Sequence, residues 1–520
     1  MTSHASPVSA NELVRRGYFP REAPPPFSTE KLASLLERDQ KALPTKSRRS
    51  QCVRHNLARP NGFRRPLQIP NPRNFVPLAQ EFEAQWTTVN TFLQSSSLSM
   101  SRPEIAGGSE RAIQPRFRFG ERARLRPRDW RGQRFLLRTD VSQFYSSLYT
   151  HSIPWALEGK RKAKQNMGKT VSDRLDKALR EISDGQTMGV PIGPDTSLLA
   201  AEIVLTAVDK KIAKGRRLRG HRYIDDYELT FTSRGEAEQT LVEIEDALAE
   251  FELSINPLKT EIVELPQPFQ EGWAHDLLTF RIRTETATTT ITDLIALFSR
   301  AASVAQTRSG PLKYALQRSR EIDIPDSDVW GAFQNLVWSA VSSEPTTMPT
   351  ALDVLTEKAE LGEFQLDEDA AAEVIEAMLL THAPLRNASE VAWALWGAIK
   401  LDIRLSKEVA SAVSSSDDDF VALLALDADE RGLFRSQLDL SNWETLIDYD
   451  DVFSGPHWLL AYESAVRKWL ESARGRIGED PFMKVLRTRR VRFYLPEETR
   501  RPFTGPAGPL PGGLVPDEYV

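Results

Sequence analysis

Arg222-Tyr223-Ile224-Asp225-Asp226-Tyr227 is the stretch whose reading decides the fold. Apolar and polar residues alternate on either side of it, so it reads as a β-hairpin whose tight connection holds two adjacent carboxylates. Two Asp side by side raise one another's pKa unless a cation sits between them, and a divalent metal removes that conflict. An Asp-Asp pair alone is also an ordinary turn, because Asp bonds readily to its own backbone there. A third carboxylate separates the two readings. Asp140 ends the apolar run Phe135-Leu136-Leu137, which reads as a strand. Three carboxylates on strand ends and a hairpin are the arrangement that holds two Mg²⁺ for in-line attack on a phosphate.

The chain has 520 residues, 40% hydrophobic and 27% charged, which predicts a globular protein of two or three domains. No apolar run reaches the length of a membrane span, and no charged-then-apolar start reads as a secretory signal. The single cysteine, Cys52, excludes a disulfide within the chain and a cysteine-built zinc site. Together these predict a cytoplasmic protein. The net charge of −5 hides an asymmetry: residues 1–135 carry 24 Lys/Arg against 11 Asp/Glu, and the remainder 43 against 61. A basic segment beside a metal-carboxylate site suits a phosphate-backbone substrate. Arg122, Arg124, Arg126 and Arg128 alternate, which predicts one cationic face for a triphosphate or strand backbone.

Residues 1–68 form a basic, Pro-rich extension, expected to be irregular apart from a short helix near Lys31–Arg38. Gly185–Pro194 (GQTMGVPIGP) is a punctuated loop able to present backbone N–H groups, and Asp195-Thr196-Ser197 offers an N-cap to a helix carrying Leu198, Leu199, Ile203, Val204, Ala207 and Val208. Past the hairpin, Leu241, Ile244, Leu248 and Phe251 fall at helical spacing, and Asn256–Thr260 turns the chain into the strand Glu261-Ile262-Val263. Strand, helix, hairpin, helix, strand is the α+β layout of a polymerase palm. From about residue 290 the pattern becomes helical, with stretches near 294–305, 330–341, 371–380, 391–399, 420–426 and 458–470. They predict an all-α, repeat-like arrangement without a clean sequence repeat. Residues 351–430 hold 18 Asp/Glu against 5 Lys/Arg. Such a surface repels nucleic acid, and either meets protein, other copies of the chain included, or is a solvated face.

Asp140, the GQTMGVPIGP loop, Tyr223-Ile224-Asp225-Asp226 and Lys259, in that order, resemble a reverse transcriptase. Phe144-Tyr145 with the run Tyr149–Leu157 resembles the bacterial abortive-infection and defence-associated reverse transcriptases, and His457–Glu463 and Val491–Tyr494 are similar to that subgroup's tail. The resemblance implies a basic extension over 1–68, reverse-transcriptase fingers and palm over 69–285 and an α-helical repeat-like domain over 286–520. It makes Asp140, Asp225 and Asp226 the metal-binding acids, with Val141 counted beside them, for Mg²⁺ or alternatively Mn²⁺. Lys259 takes the place of the lysine that protonates or stabilises the leaving pyrophosphate. Tyr145 takes that of the aromatic steric gate against a ribose 2′-hydroxyl, and Phe144, Gln186, Gly189 and Arg126 join it as the nucleotide-binding set. Thr187-Met188-Gly189 stands where the family usually has Pro-Gln-Gly.

By that resemblance the chain is expected to be a DNA polymerase of antiphage defence. It would use dNTPs without a template, prime on a protein hydroxyl such as Tyr449, Tyr462 or Tyr494, and form a homo-oligomer through its helical part. An RNA-templated reverse transcriptase with a dedicated non-coding RNA is the alternative within enzymes. An inactive polymerase-fold scaffold is the alternative outside them.

Overall fold

The computed structural model describes residues 8–39, 41–44, 48–59, 62–105, 111–166, 168–270, 272–305 and 310–497. Its centre is a four-stranded antiparallel sheet in the order β6-β7-β5-β8, with β5 at Phe135–Thr139, β6 at Arg219–Tyr223, β7 at Asp226–Phe231 and β8 at Glu261–Glu264. Register explains what the sheet brings together. Thr139 pairs with Tyr227 on one side, and Arg138 pairs with Glu261 on the other. Running the first ladder one step further and the second two steps sets Asp140 between Asp226 and Lys259. Thr139 and Thr260 mark the intermediate step on the second side with a hydroxyl–hydroxyl bond of 2.7 Å.

Two helices cover the sheet. Asp195–Ile212 buries Leu199, Ile203, Val204 and Val208, and Arg234–Ala249 buries Ile244 and Leu248. The expected cap at Asp195-Thr196-Ser197 is not formed. Pro194 is the N-cap residue, and Asp195 is the first helical residue, held by the Arg111 guanidinium and by Ile113 N–H. An ion pair therefore fixes this helix start where a hydroxyl cap was expected.

The first 68 residues are more regular than their composition predicts. They include helices Ala10–Arg16 and Glu30–Arg38, and the hairpin of β1 (Val53–Ala58) with β2 (Arg64–Ile69). Tyr18 and Phe27 enter the core, with Phe27 stacked on Phe420 at 3.9 Å. Residues 26–28 pair with the tail: Ser28 N–H donates to Phe493 O at 2.9 Å and Leu495 N–H to Pro26 O at 2.7 Å. A short pair, β3 (Pro103–Ile105) with β4 (Ile113–Pro115), precedes the helix Arg122–Trp130. That helix overturns the single arginine face. Alternate residues lie on opposite sides of a helix, so Arg122 and Arg126 share one side while Arg124 and Arg128 are exposed on the other.

Beyond residue 272 the described chain is helical. The expected stretches appear as Ala287–Ala305, Ser327–Ser343, Glu368–His382, Ala388–Leu401, Asp419–Glu430 and Trp458–Arg467, with further helices between them. The two tail segments singled out by resemblance pack on one another. Tyr462 donates to Val491 O at 2.9 Å, Phe493 N–H to Glu463 at 2.6 Å and Arg467 to Tyr494 O at 2.6 Å. An α+β polymerase-like part followed by an all-α part is thus the observed architecture. No helix among the described residues is long and apolar enough to cross a membrane.

Candidate active site

The β6–β7 turn is shorter than the hexapeptide suggests. Tyr223 pairs with Asp226, so the two turn residues are Ile224 and Asp225, and Asp226 already belongs to β7. Ile224 has φ 51°, a conformation that costs a β-branched residue about 1–3 kcal/mol. Its surroundings enforce it. Ile224 N–H donates to Ser101 Oγ at 2.6 Å, and Ile224 O accepts from Arg222 at 2.7 Å.

Arg222 is itself fully buried between two acids on the helix Asp195–Ile212, at 2.9 Å from Glu202 and 2.8 Å from Asp209. Ser99 and Ser101 donate to Glu202 at 2.7 and 2.6 Å, and Tyr227 to Asp209 at 2.9 Å. Burial opposes the Arg222 charge, but Asp209 and Glu202 outweigh it and hold the guanidinium well above its usual pKa. One guanidinium serves two carboxylates, and every oxygen of the two accepts a hydrogen bond, which a buried ion cluster requires if it is not to cost stability. The set grips the turn that carries Asp225.

The opposite holds for Asp140, Asp225 and Asp226. Burial, then Asp226 and Asp140, push Asp225 up to about 7. Burial also raises Asp226, against the pull of Arg122 and Lys259. Asp140 is 7% exposed; Lys259 reaches its Oδ2, and its Oδ1 is buried with no hydrogen-bond partner. The Lys259 side chain is 60% exposed, and its bond to Asp140 keeps its pKa raised against the cost of burial. An all-oxygen donor set with mutual repulsion and an orphaned buried oxygen fits a hard divalent cation. In this arrangement no three His, Cys, Asp or Glu among the described residues close on one point as a finished metal centre.

The other expected site residues divide. Tyr145 follows Gln143, at φ 45°, in the short helix Phe144–Ser147, and its carbonyl accepts from Val190 N–H at 2.8 Å. Burial and then Asp225 raise its hydroxyl pKa, which places it beside the acids. Phe144 is 2% exposed and belongs to the core. Val141 is also buried, bridged to Ile255. Gly189 has φ 86°, and a Cβ there would meet Ser146 O at 3.1 Å, so the loop needs glycine. Gln186 is exposed on the same loop. Arg126 is committed elsewhere, to Glu228 at 2.9 Å and to Phe269 O at 2.6 Å. Tyr462 and Tyr494 are fully buried with their hydroxyls bonded, to Val491 O and Asp427. The Tyr449 hydroxyl is buried and unpartnered, raised to about 12 first by burial.

Sequence reading missed two cations, Arg59 and Arg65, and the buried clamp, while Arg122 belongs to the arginine run it singled out. Burial and Arg65 lower the Arg59 pKa while Asp225 and Asp140 raise it, so Arg59, which follows β1, lies within electrostatic range of the acids. Arg65 likewise acts on Tyr145. Arg122 is brought down to about 10 by burial first and Arg126 second, with Asp226 opposing. The clamp did leave a signal. Glu202 and Asp209 are two acids seven residues apart on one face of an apolar helix.

Residues 110–292 match the family model described as reverse transcriptase (RNA-dependent DNA polymerase), and the palm sheet lies within that span. That span is thus similar to reverse transcriptases, and a helical part follows it. No curated protein matches the chain. A solved structure of apo telomerase from Candida tropicalis is similar over 70% of this chain and 67% of its own, with 11% identity and a TM-score of 0.32, a likeness on which no argument rests.

Proposed function

We propose that the chain is a divalent-metal-dependent DNA polymerase, with Asp140, Asp225 and Asp226 as metal ligands. The observation that carries this is the register of the sheet, which sets Asp140 between Asp226 and Lys259 while the clamped turn presents Asp225. Bound Mg²⁺, or Mn²⁺, would activate the attacking hydroxyl and steady the leaving group. Arg59 and Arg65 on the β1–β2 hairpin hold the triphosphate of a dNTP. Tyr145 lies against its sugar and selects against a 2′-hydroxyl. The hydroxyl oxygen bonds to the α-phosphorus as the α–β anhydride bond breaks, and Lys259 gives a proton to the departing pyrophosphate.

The resemblance to defence-associated enzymes extends the proposal to antiphage defence by an oligomer that starts DNA on a protein hydroxyl without a template. Burial of the Tyr449, Tyr462 and Tyr494 hydroxyls speaks for a different primer residue or for opening of the helical part. RNA-templated copying is favoured by the matched family's own description, an RNA-dependent DNA polymerase.

One experiment tests both readings. Purified protein is incubated with Mg²⁺ and each labelled dNTP, without template or primer, and resolved on denaturing gels with and without protease. Label that travels with the protein until protease frees it supports protein priming. Product that appears only after RNA template and primer are added supports templated copying. Incorporation under neither condition removes the polymerase reading.

A further inference from the structure

The end of the central sheet away from the three acids is strongly cationic. β5 runs five residues, about 17 Å, from Phe135 before it delivers Asp140, and β6 runs in the same direction to the turn. Where the two strands begin, Arg134 N–H donates to Phe231 O at 2.9 Å and Arg219 to Arg131 O at 2.6 Å, so residues 131–134 and 214–219 gather at one place. Residues 214–219 hold four Lys/Arg and no acid. The acids around them are largely engaged. Asp129 is buried against His221 and Arg128, Glu243 pairs with Arg216, Glu238 with Arg234, and Glu236 closes the capping box of the helix Arg234–Ala249. Glu264, opposite Phe135 in β8, is exposed at this end. Against it stand Arg131, Arg134, Lys214, Arg217 and Arg219, all exposed and without an ion pair among the described residues. Phe269 lies beside them, 48% exposed and stacked on Trp130 at 5.0 Å.

The helical part carries the opposite pattern. Residues 357–373 join the end of the helix Met348–Gly362 to the start of the helix Glu368–His382, and they hold seven Asp/Glu against one Lys. Lys358 turns its Nζ to Ile322 O, and Arg320 takes up Asp353 and Glu357. Glu360, Glu363, Glu368, Asp369 and Glu373 are exposed and have no ion pair among the described residues. Leu361 stands among them, 76% exposed. The connecting loop is anchored from behind. Phe364 stacks on Trp330 at 5.3 Å, Trp330 donates to Gln365 O at 2.7 Å, and Asp367 N–H donates to Gln334 at 2.8 Å.

Each face is thus an exposed apolar side chain among uncommitted charges of one sign, and no ion pair joins the two faces within the chain among the described residues. Like charges gathered this closely repel one another, and a partner of opposite sign removes the repulsion. A phosphate strand would suit the arginines but is repelled by the acidic loop, whereas another copy of the chain satisfies both faces at once. We infer that the acidic loop of one copy docks on the arginine end of the sheet of the next, with Leu361 against Phe269 at the centre and the charges around them as the rim. Because the two faces differ, the contact is head-to-tail and repeats at every free end, giving a ring or a chain of copies. The inference deepens the oligomer of the proposed function and rests on that reading for assembly alone; catalysis is no part of it.

The test follows assembly of the full chain by sedimentation velocity over a series of protein concentrations, in low and in high NaCl. The wild type is expected to sediment as more than two copies, and high NaCl to disperse it. Arg134→Glu with Arg217→Glu, or Glu360→Lys with Glu373→Lys, is expected to raise the concentration needed for assembly about 10-fold or more. An equimolar mixture of these two double variants is expected to assemble again, since each supplies the face the other lacks, a rescue that misfolded chains cannot give. Leu361→Ser, which changes no charge, is expected to weaken assembly too, and Lys484→Glu, away from both faces, to leave it as in the wild type. The inference is overturned if the wild type is monomeric at every concentration, if reversing either face leaves assembly unchanged, or if the mixed variants stay apart. Loss of RNA binding on Arg134→Glu with Arg217→Glu while assembly persists gives the arginine end to nucleic acid and overturns it as well. Incorporation of dNTP is measured on the same samples. A monomer that incorporates keeps the polymerase reading and removes this inference, and an assembly that does not incorporate does the reverse.

Discussion

Two carboxylate clusters flank the same hairpin and are built on opposite terms. Glu202 and Asp209 lie at 0% and 1% exposure, with Arg222 between them and serine and tyrosine hydroxyls on their remaining oxygens. Asp140, Asp225 and Asp226 are also partly withdrawn from water, yet Lys259, itself mostly exposed, is paired with Asp140, the charges of Arg122 and Arg59 act on the cluster beside it, and one Asp140 oxygen has no hydrogen-bond partner. The first cluster is complete without a ligand and fixes shape. The second is in deficit, with a buried oxygen left unpartnered and Asp225 and Asp226 held above the usual carboxylate range. The protein therefore leaves its unsatisfied carboxylates where chemistry is proposed and sets a hydrogen-bond-saturated ion network next door to hold them still.

The contrast is broken most severely by emptying the second cluster. Asp140→Ala or Asp225→Ala is expected to lower dNTP incorporation about 1,000-fold or more while leaving the thermal transition in place, measured by gel assay beside calorimetry. Arg222→Ala attacks the first cluster instead. It strands Glu202 and Asp209 without a cation and should cost about 3–5 kcal/mol of stability in denaturant melts, with Arg222→Lys recovering part of it. If Arg222→Ala unfolds no more easily than wild type, the two clusters do not differ as described.

Smaller changes sharpen the comparison. Lys259→Ala is expected to slow incorporation about 100-fold with little change in fold, and most at high pH if the lysine acts by proton donation. Asp225→Asn tests the deficit itself. The folded-state pKa of Asp225, about 7, lies above its unfolded value of 3.8, so the folded chain binds the extra proton between those values. Metal-free stability therefore falls as pH rises through that window. Asp225→Asn should remove that slope and gain about 1–2 kcal/mol at pH 8, while abolishing the stabilisation that added Mg²⁺ gives the wild type. The mildest change is Tyr494→Phe, expected to cost about 1 kcal/mol for its lost bond to Asp427 and to leave DNA synthesis intact.

What could be read from the sequence follows from range. The hairpin, the strand before Asp140 and the amphipathic helices are written in local alternation and periodicity, and they stand where expected. Arg59 and Arg65 were hidden because a two-stranded hairpin far earlier in the chain delivers them to the acids. Arg126 read as a nucleotide ligand until Glu228, on a neighbouring strand, claimed it. Phe144 shared a motif with Tyr145, but the short helix Phe144–Ser147 turns one ring into the core and leaves the other beside Asp225. Local pattern names the elements; long-range pairing decides which side chains remain free.

The bridge between Phe27 and Tyr494 has a consequence in time. Residues 26–28 leave the ribosome well before their partners 493–495. Until those partners emerge Phe27 lacks the Tyr494 ring that packs on it beside Phe420, although residues 110–292, the span similar to reverse transcriptases, are already made. Closure between such distant points comes late and slowly. A chain truncated before residue 493 therefore contains Asp140, Asp225 and Asp226 and lacks the backbone pairing that holds residues 26–28 in place.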